Sequence, residues 1–226
     1  MRTCAWVRIV RLLSHHPRLV GNLPTFIMPN KRPAIAQTGL AGKVRIIAGH
    51  WRGRRLPVPD HLGLRPTSDR IRETLFNWLA PVIDGASCLD LFSGSGALGF
   101  EAASRGAGRV DLVDDDRTVY RQLVHTRDTL SANQIHIHCE DALTFLATTS
   151  NRFNIVFLDP PFRNRFAAQI ITTLEHSGKL KPHSLIYLEN SKHDIKPILP
   201  ETWRLHREKN AGHVAYRLYE FGETTT

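Results

Sequence analysis

The chain has 226 residues, 42% hydrophobic and 23% charged, which suits a globular protein with one large core and some appendages. No apolar run approaches the ~20 residues of a membrane-spanning helix. Its three cysteines, Cys4, Cys88 and Cys139, lack the paired spacing of a disulfide framework or metal site. Cys88 and Cys139 fall in strand-like runs and are expected to be buried free thiols of a cytoplasmic protein.

The net charge of +9 is unevenly spread. Residues 1–72 hold 14 basic and 2 acidic side chains, net +12, while residues 73–226 hold 16 and 19, net −3. A basic front on a mildly acidic body predicts that one end meets a polyanion.

Residues 1–42 read as an extension without regular structure. The first 27 contain no acidic residue, and Pro17 and Pro24 break any long amphipathic helix. Met28 opens a plain polar stretch and is the expected true start of translation. Residues 43–80 read as a basic hairpin and helix. Val44–Ile47 and Arg55–Val58 are short strand candidates around a basic tip that contains Trp51. Thr67 or Ser68 is the expected N-cap of a helix whose core side is Ile71, Leu75, Trp78 and Leu79. Arg70 and Arg72 lie on that helix and read as solvated.

From Ser87 onward strands and helices alternate. Strands are expected at 87–92, 109–114, 135–139, 153–158 and 184–189, and helices at 97–105, 117–131, 141–149 and 165–176. This predicts an α/β fold for residues 81–226, with a doubly wound, mostly parallel sheet. Trp203–Lys209 and His213–Phe221 flank Asn210-Ala211-Gly212, so the seven-stranded sheet should end in an antiparallel hairpin.

The first strand of that series runs into Asp90-Leu91-Phe92-Ser93-Gly94-Ser95-Gly96. Glycines at 94, 96 and 99 let the backbone turn sharply and approach a ligand at a helix N-terminus. The pattern by itself fits either a nicotinamide or an S-adenosylmethionine site. Asp114 ends the second strand and is placed to accept from ribose hydroxyls in either case. Asp141, after the third strand, is a candidate acceptor for an adenine amine. Asp90 either holds a ligand ammonium or pins the loop. Asp116 reads as the start of the next helix.

The fourth strand decides between the two cofactors. Phe153–Leu158 runs directly into Asp159-Pro160-Pro161-Phe162. Asp159 and the Pro160 carbonyl are acceptors for an exocyclic amine, and Phe162 offers a face for a flat ring. Holding both N–H bonds turns the amine lone pair towards a methyl donor, and proximity supplies most of the rate. The plain alternative is a proline turn with Phe162 in the core.

Together these segments resemble the bacterial RsmD family. The resemblance rests on Arg45-Ile46-Ile47-Ala48-Gly49, Trp51-Arg52-Gly53-Arg54, Arg65-Pro66-Thr67 and Arg72–Leu79, followed by Leu89–Gly96 and Asp159–Phe162. It covers roughly residues 43–221. It implies a Rossmann-like class I fold and S-adenosylmethionine as cofactor. It also implies methylation of a guanine N2 amine, at position 966 of 16S ribosomal RNA, in the small subunit or its precursor. By the same resemblance Asp159, Pro160, Pro161 and Phe162 hold the guanine, and Asp90, Phe92, Gly94, Gly96, Asp114 and Asp141 hold the cofactor. The family commonly carries Glu where Asp114 stands.

On this reading Arg45, Arg52, Arg54, Arg55 and Arg65 grip phosphates, and RNA affinity falls steeply with salt. No membrane, metal or second subunit is called for. His136 and His138 share a strand face, but no second ligand pair accompanies them. The competing readings are a DNA adenine-N6 or cytosine-N4 methyltransferase, a non-catalytic RNA-binding assembly factor and, last, a nicotinamide enzyme.

Overall fold

The computed structural model describes residues 40–59, 67–159, 164–192 and 197–222. Met28, Cys4, Arg65 and Pro160–Phe162 lie outside them, as does the 1–39 segment. Two antiparallel strands, β1 (Leu40–Arg45) and β2 (Arg55–Pro59), form the small hairpin. Helix α1 (Asp69–Leu79) follows, capped by Ser68, whose hydroxyl accepts from Ile71 N–H. Then come β3 (Ser87–Asp90), α2 (Ala97–Ser104), β4 (Arg109–Asp114), α3 (Arg117–Leu130), β5 (Ile135–Cys139) and α4 (Ala142–Thr148). The chain continues with β6 (Phe153–Leu158), α5 (Asn164–His176), β7 (Leu180–Ser191), β8 (Trp203–Ala211) and β9 (Val214–Phe221).

The large sheet runs β5-β4-β3-β6-β7-β9-β8. Its first five strands are parallel, and β9 pairs antiparallel with both β7 and β8. Strand order reverses between β3 and β6. In an open α/β sheet the crevice outside the carboxyl ends at that reversal is where ligands bind. The Gly94 loop leaves β3 there and Asp159 leaves β6 there.

Side-chain alternation builds a core on each face. Cys88, Val110, Leu112, Ile155, Phe157 and Tyr187 pack with α1, α2 and α3. Leu89, Val113, Val156, Leu158 and Leu188 pack with α4 and α5. Of the expected inward residues of α1, Ile71, Leu75 and Leu79 are buried. Trp78 is half-buried and stacks on Tyr216, with ring centroids 5.5 Å apart.

Two sequence expectations need correction. Cys139 is exposed, because it ends the edge strand β5; Cys88 alone is buried, and burial pushes its thiol up to about 12. Arg72 is not solvated but 0% exposed. Its guanidinium donates through Nη2 to the Arg45 carbonyl and to Asp69, both at 2.7 Å, and Nη1 lies 3.6 Å from Glu101.

Glu101, also 0% exposed, is the hub of the hairpin's attachment. Its two oxygens accept from Ile47 N–H (2.7 Å) and Ala48 N–H (3.1 Å), and Oε1 also takes Arg105 Nε at 2.7 Å. One turn later the Ser104 hydroxyl donates to the Ala48 carbonyl and accepts from Trp51 N–H. Gly49, at φ 81, sits against this junction. A Cβ on it would lie 1.8 Å from the Ser104 carbonyl oxygen, so no other residue fits.

Removing one partner of a buried ion pair strands the other in low dielectric. Glu101→Ala is therefore expected to cost about 3–5 kcal/mol in urea unfolding. A loss below about 1 kcal/mol would show that the network is not what seats the hairpin.

Candidate active site

The glycine loop is built from its own backbone and two carboxylates. Gly94 (φ 47) and Gly96 (φ 74) take left-handed conformations, and Gly96 N–H returns to the Ser93 carbonyl at 2.6 Å. Gly96 is also the N-cap of α2 and brings no capping side chain of its own. The first turn of that helix carries its partial positive charge at the carboxyl end of β3.

Asp90 pins the loop. Its Oδ2 accepts Gly99 N–H at 3.1 Å, Phe92 N–H bonds the same carboxylate, and its carbonyl accepts the Ser93 hydroxyl. Of the two roles open in the sequence, the structure shows this one. Phe92 is half-buried and meets Phe166 edge-on at 5.9 Å.

Asp114 reaches from the end of β4 to the glycine loop of its neighbour β3. Oδ2 accepts Gly94 N–H at 2.9 Å and Oδ1 accepts Asp116 N–H at 3.0 Å. Each oxygen keeps one lone pair for a ligand hydroxyl. The link to Gly94 was not foreseen from the sequence. Asp116 caps α3, as its position suggested, by accepting from Thr118 and Val119 N–H. Asp141 caps α4. One oxygen takes Leu143 and Thr144 N–H and the other takes the Thr144 hydroxyl, which together hold its carboxyl below the usual carboxylate range.

Asp159 stands at the end of β6, and two further carboxylates stand near it. Asp90, Asp159 and Glu189 continue the rows of Cys88, Phe157 and Tyr187, so all three lie on the α1–α2 face of adjacent strands. Burial pushes Asp90 up to about 7, with Asp114 adding to the rise. Burial, then the charges of Glu189 and Asp90, push Asp159 up to about 8. Glu189 is raised too, by burial, although the Tyr187 hydroxyl donates to it at 2.7 Å and Thr67 hydrogen-bonds it. Glu189 was missed in the sequence. A carboxylate closing an apolar run on the strand beside Asp159 was the signal.

The proposed RNA-facing arginines divide. Arg45, Arg52, Arg54 and Arg55 are exposed on the hairpin and its tip. Arg45 and Arg52 line a cleft of about 230 Å³ with Asp69 and Glu73, and Arg45 lies 3.9 Å from Asp69. His138 bonds Asp111 at 2.8 Å, and no cluster of metal-ligating side chains occurs among the described residues.

The donor set fits a cationic nucleoside cofactor. The crowded carboxylates at the switch point are raised by burial and by one another, and among the described residues no cationic side chain contributes to either Asp90 or Asp159. A sulfonium with an ammonium tail supplies the missing charge. With the glycine loop that opens α2 and the sheet order, this defines a class I S-adenosylmethionine-dependent methyltransferase.

The comparisons narrow the class. The family model described as conserved hypothetical protein 95 matches residues 44–220. Ribosomal RNA small subunit methyltransferase D of Escherichia coli K12 is 53% identical over 180 residues, covering 80% of this chain and 91% of that protein. The protein of the same name from Haemophilus influenzae is 51% identical over 183 residues, covering 79% and 94%. A solved structure from Escherichia coli superposes with a TM-score of 0.76 at 50% identity, covering 81% of this chain and all of that one. The chain belongs to the ribosomal RNA small subunit methyltransferase D family.

Cofactor binding should depend on pH with a definite sign. A bound cation favours the ionised carboxylates, so binding near pH 7 releases protons from Asp90 and Asp159. Affinity for S-adenosylmethionine is expected to rise between about pH 6 and pH 9, and more steeply than affinity for S-adenosylhomocysteine, which keeps the ammonium and carboxylate but lacks the sulfonium charge. Titration calorimetry in buffers of different ionisation heat reads both quantities. Identical, flat profiles for the two ligands would contradict the assignment.

Proposed function

We propose that the chain methylates the exocyclic N2 amine of one guanine, position 966 of 16S ribosomal RNA, in the small ribosomal subunit or its precursor. The observation that carries this is Asp159: a carboxyl at the end of β6, beside the glycine loop of β3, on the switch-point face of the sheet. The family relatives' name supplies the substrate. When bound, the cofactor supplies a methyl group on a sulfonium, which passes to the amine nitrogen while the sulfur keeps the bonding pair as a thioether.

The protein's part is orientation and charge. Asp159 and the Pro160 carbonyl accept the two N–H bonds, so that the lone pair points out of the base plane. Phe162 stacks on the ring, and Pro161 stiffens the corner. The methylated nitrogen then sheds one proton. Asp159, lifted to about 8 in the free protein, is basic enough to take it and pass it to solvent.

Gly94, Gly96 and Phe92 shape the cofactor's bed, and Asp90 holds that bed in place. Asp114 takes the ribose hydroxyls and Asp141 the adenine amine, each with the lone pairs left over from its backbone bonds. Arg45, Arg52, Arg54, Arg55 and Arg65 bind phosphates while the guanine is flipped out of its stack. Every group invoked lies on a single chain, which acts as a cytoplasmic monomer.

Asp159→Ala tests this directly. The variant should unfold as the wild type does and lose methyl transfer to small subunits by at least about a hundredfold. Transfer within about twofold of wild type, measured with labelled cofactor, would overturn the role.

A further inference from the structure

We infer that Glu189 is the residue that selects guanine, by accepting a hydrogen bond from the base's N1–H while Asp159 takes the neighbouring amine. The inference rests on the methyltransferase reading above and extends it to a residue that reading leaves unused.

The placement comes from the sheet. β6 and β7 are parallel neighbours with Leu158 opposite Leu188; Asp159 and Glu189 follow them directly in sequence, close enough for the Glu189 charge to act on Asp159. Neighbouring strands lie about 4.8 Å apart. Two carboxyls on one face at that spacing line one edge of a flat base. Both remain partly exposed, whereas Asp90 beside them is buried.

Glu189 is also held for this task. The Tyr187 hydroxyl donates to its Oε2 at 2.7 Å, and the buried Thr67 fixes it from the N-terminal side of α1. Among the described residues its partners are these hydroxyls and not a cation, so it is not one half of a structural ion pair. A carboxylate fixed by neutral donors at the mouth of a site keeps its acceptor strength for a ligand.

Base chemistry then decides what fits. Guanine presents two adjacent donors, N1–H and the N2 amine. Adenine and cytosine place a ring acceptor beside their amine. Two carboxylates in a row match the guanine edge and repel the other two, which are the substrates of the rival amino-methyltransferase reading.

The test uses 16S ribosomal RNA carrying either guanine or 2,6-diaminopurine at the target position, reconstituted into small subunits. Diaminopurine keeps the 2-amine but has an acceptor at N1. Wild type should methylate the guanine substrate about a hundredfold faster, since a site built to receive a hydrogen bond rejects a ligand that cannot make it. In Glu189→Gln the amide can donate to that N1, so the preference should shrink at least about tenfold, with diaminopurine methylation rising. A purely structural role for Glu189 would lower both rates together and keep the ratio. An unchanged ratio in the variant overturns the inference, and so does a wild type that accepts both bases equally. This last measurement needs no variant to fold. If wild type fails on the guanine substrate itself, the methyltransferase assignment fails and takes the inference with it, an outcome distinct from the other two.

Discussion

Negative charge with no counter-charge among the described residues is the constraint around which the site is organised. Asp90, Asp159 and Glu189 stand at or near the carboxyl ends of three neighbouring strands, on one face of the sheet. Two unit charges about 5 Å apart at an effective dielectric near 20 repel by about 3 kcal/mol. The free protein relieves this by keeping protons: burial lifts all three carboxyls, and the charges of Glu189 and Asp90 lift Asp159 further. On the proposed reading, a sulfonium on one side and the donor edge of a base on the other relieve it better. The same crowding then serves both affinity towards a cation and acceptance of an amine's hydrogens.

The second constraint joins that site to the basic hairpin. All eight residues of α2 are buried, and the helix serves both ends. Its start carries the glycine loop; its last turn carries Glu101 and Ser104, which hold the hairpin's backbone. Arg72 and Arg105 neutralise Glu101 from two directions, and Arg105 also lies over the Phe76 ring at 5.1 Å. Arginines on the hairpin are thus fixed relative to the loop through one short rigid element. On the proposed reading, a grip on phosphates by those arginines reaches the base without a flexible linker.

Much of this was legible in the sequence because periodicity reports burial. β4, β5 and β6 match their expected bounds, and the doubly wound order with its antiparallel end follows from alternation of strand and helix. β7 is longer than its apolar run, starting at Leu180, because Lys181, Pro182 and His183 (φ 60) form an irregular entry with little hydrophobic signal. The misread side chains were charged ones. Arg72 looked like an exposed helix cation, and its burial depends on Glu101, 29 positions away. Glu101 was itself the clue: one charge in an otherwise small and apolar helix needs a buried partner. Asp114 was placed at the right strand end, but its bond to Gly94 is a tertiary contact that spacing does not encode. Glu189 escaped for the same reason, since register between β6 and β7 makes it Asp159's neighbour.

The central claim is that this chain places a methyl group on one guanine amine of the small-subunit RNA. Mass spectrometry of 16S ribosomal RNA nucleosides, from cells lacking the gene and from the same cells supplied with it, tests this most directly. N2-methylguanosine should fall by one residue per subunit in the first and return in the second. An identical N2-methylguanosine content in both would contradict it.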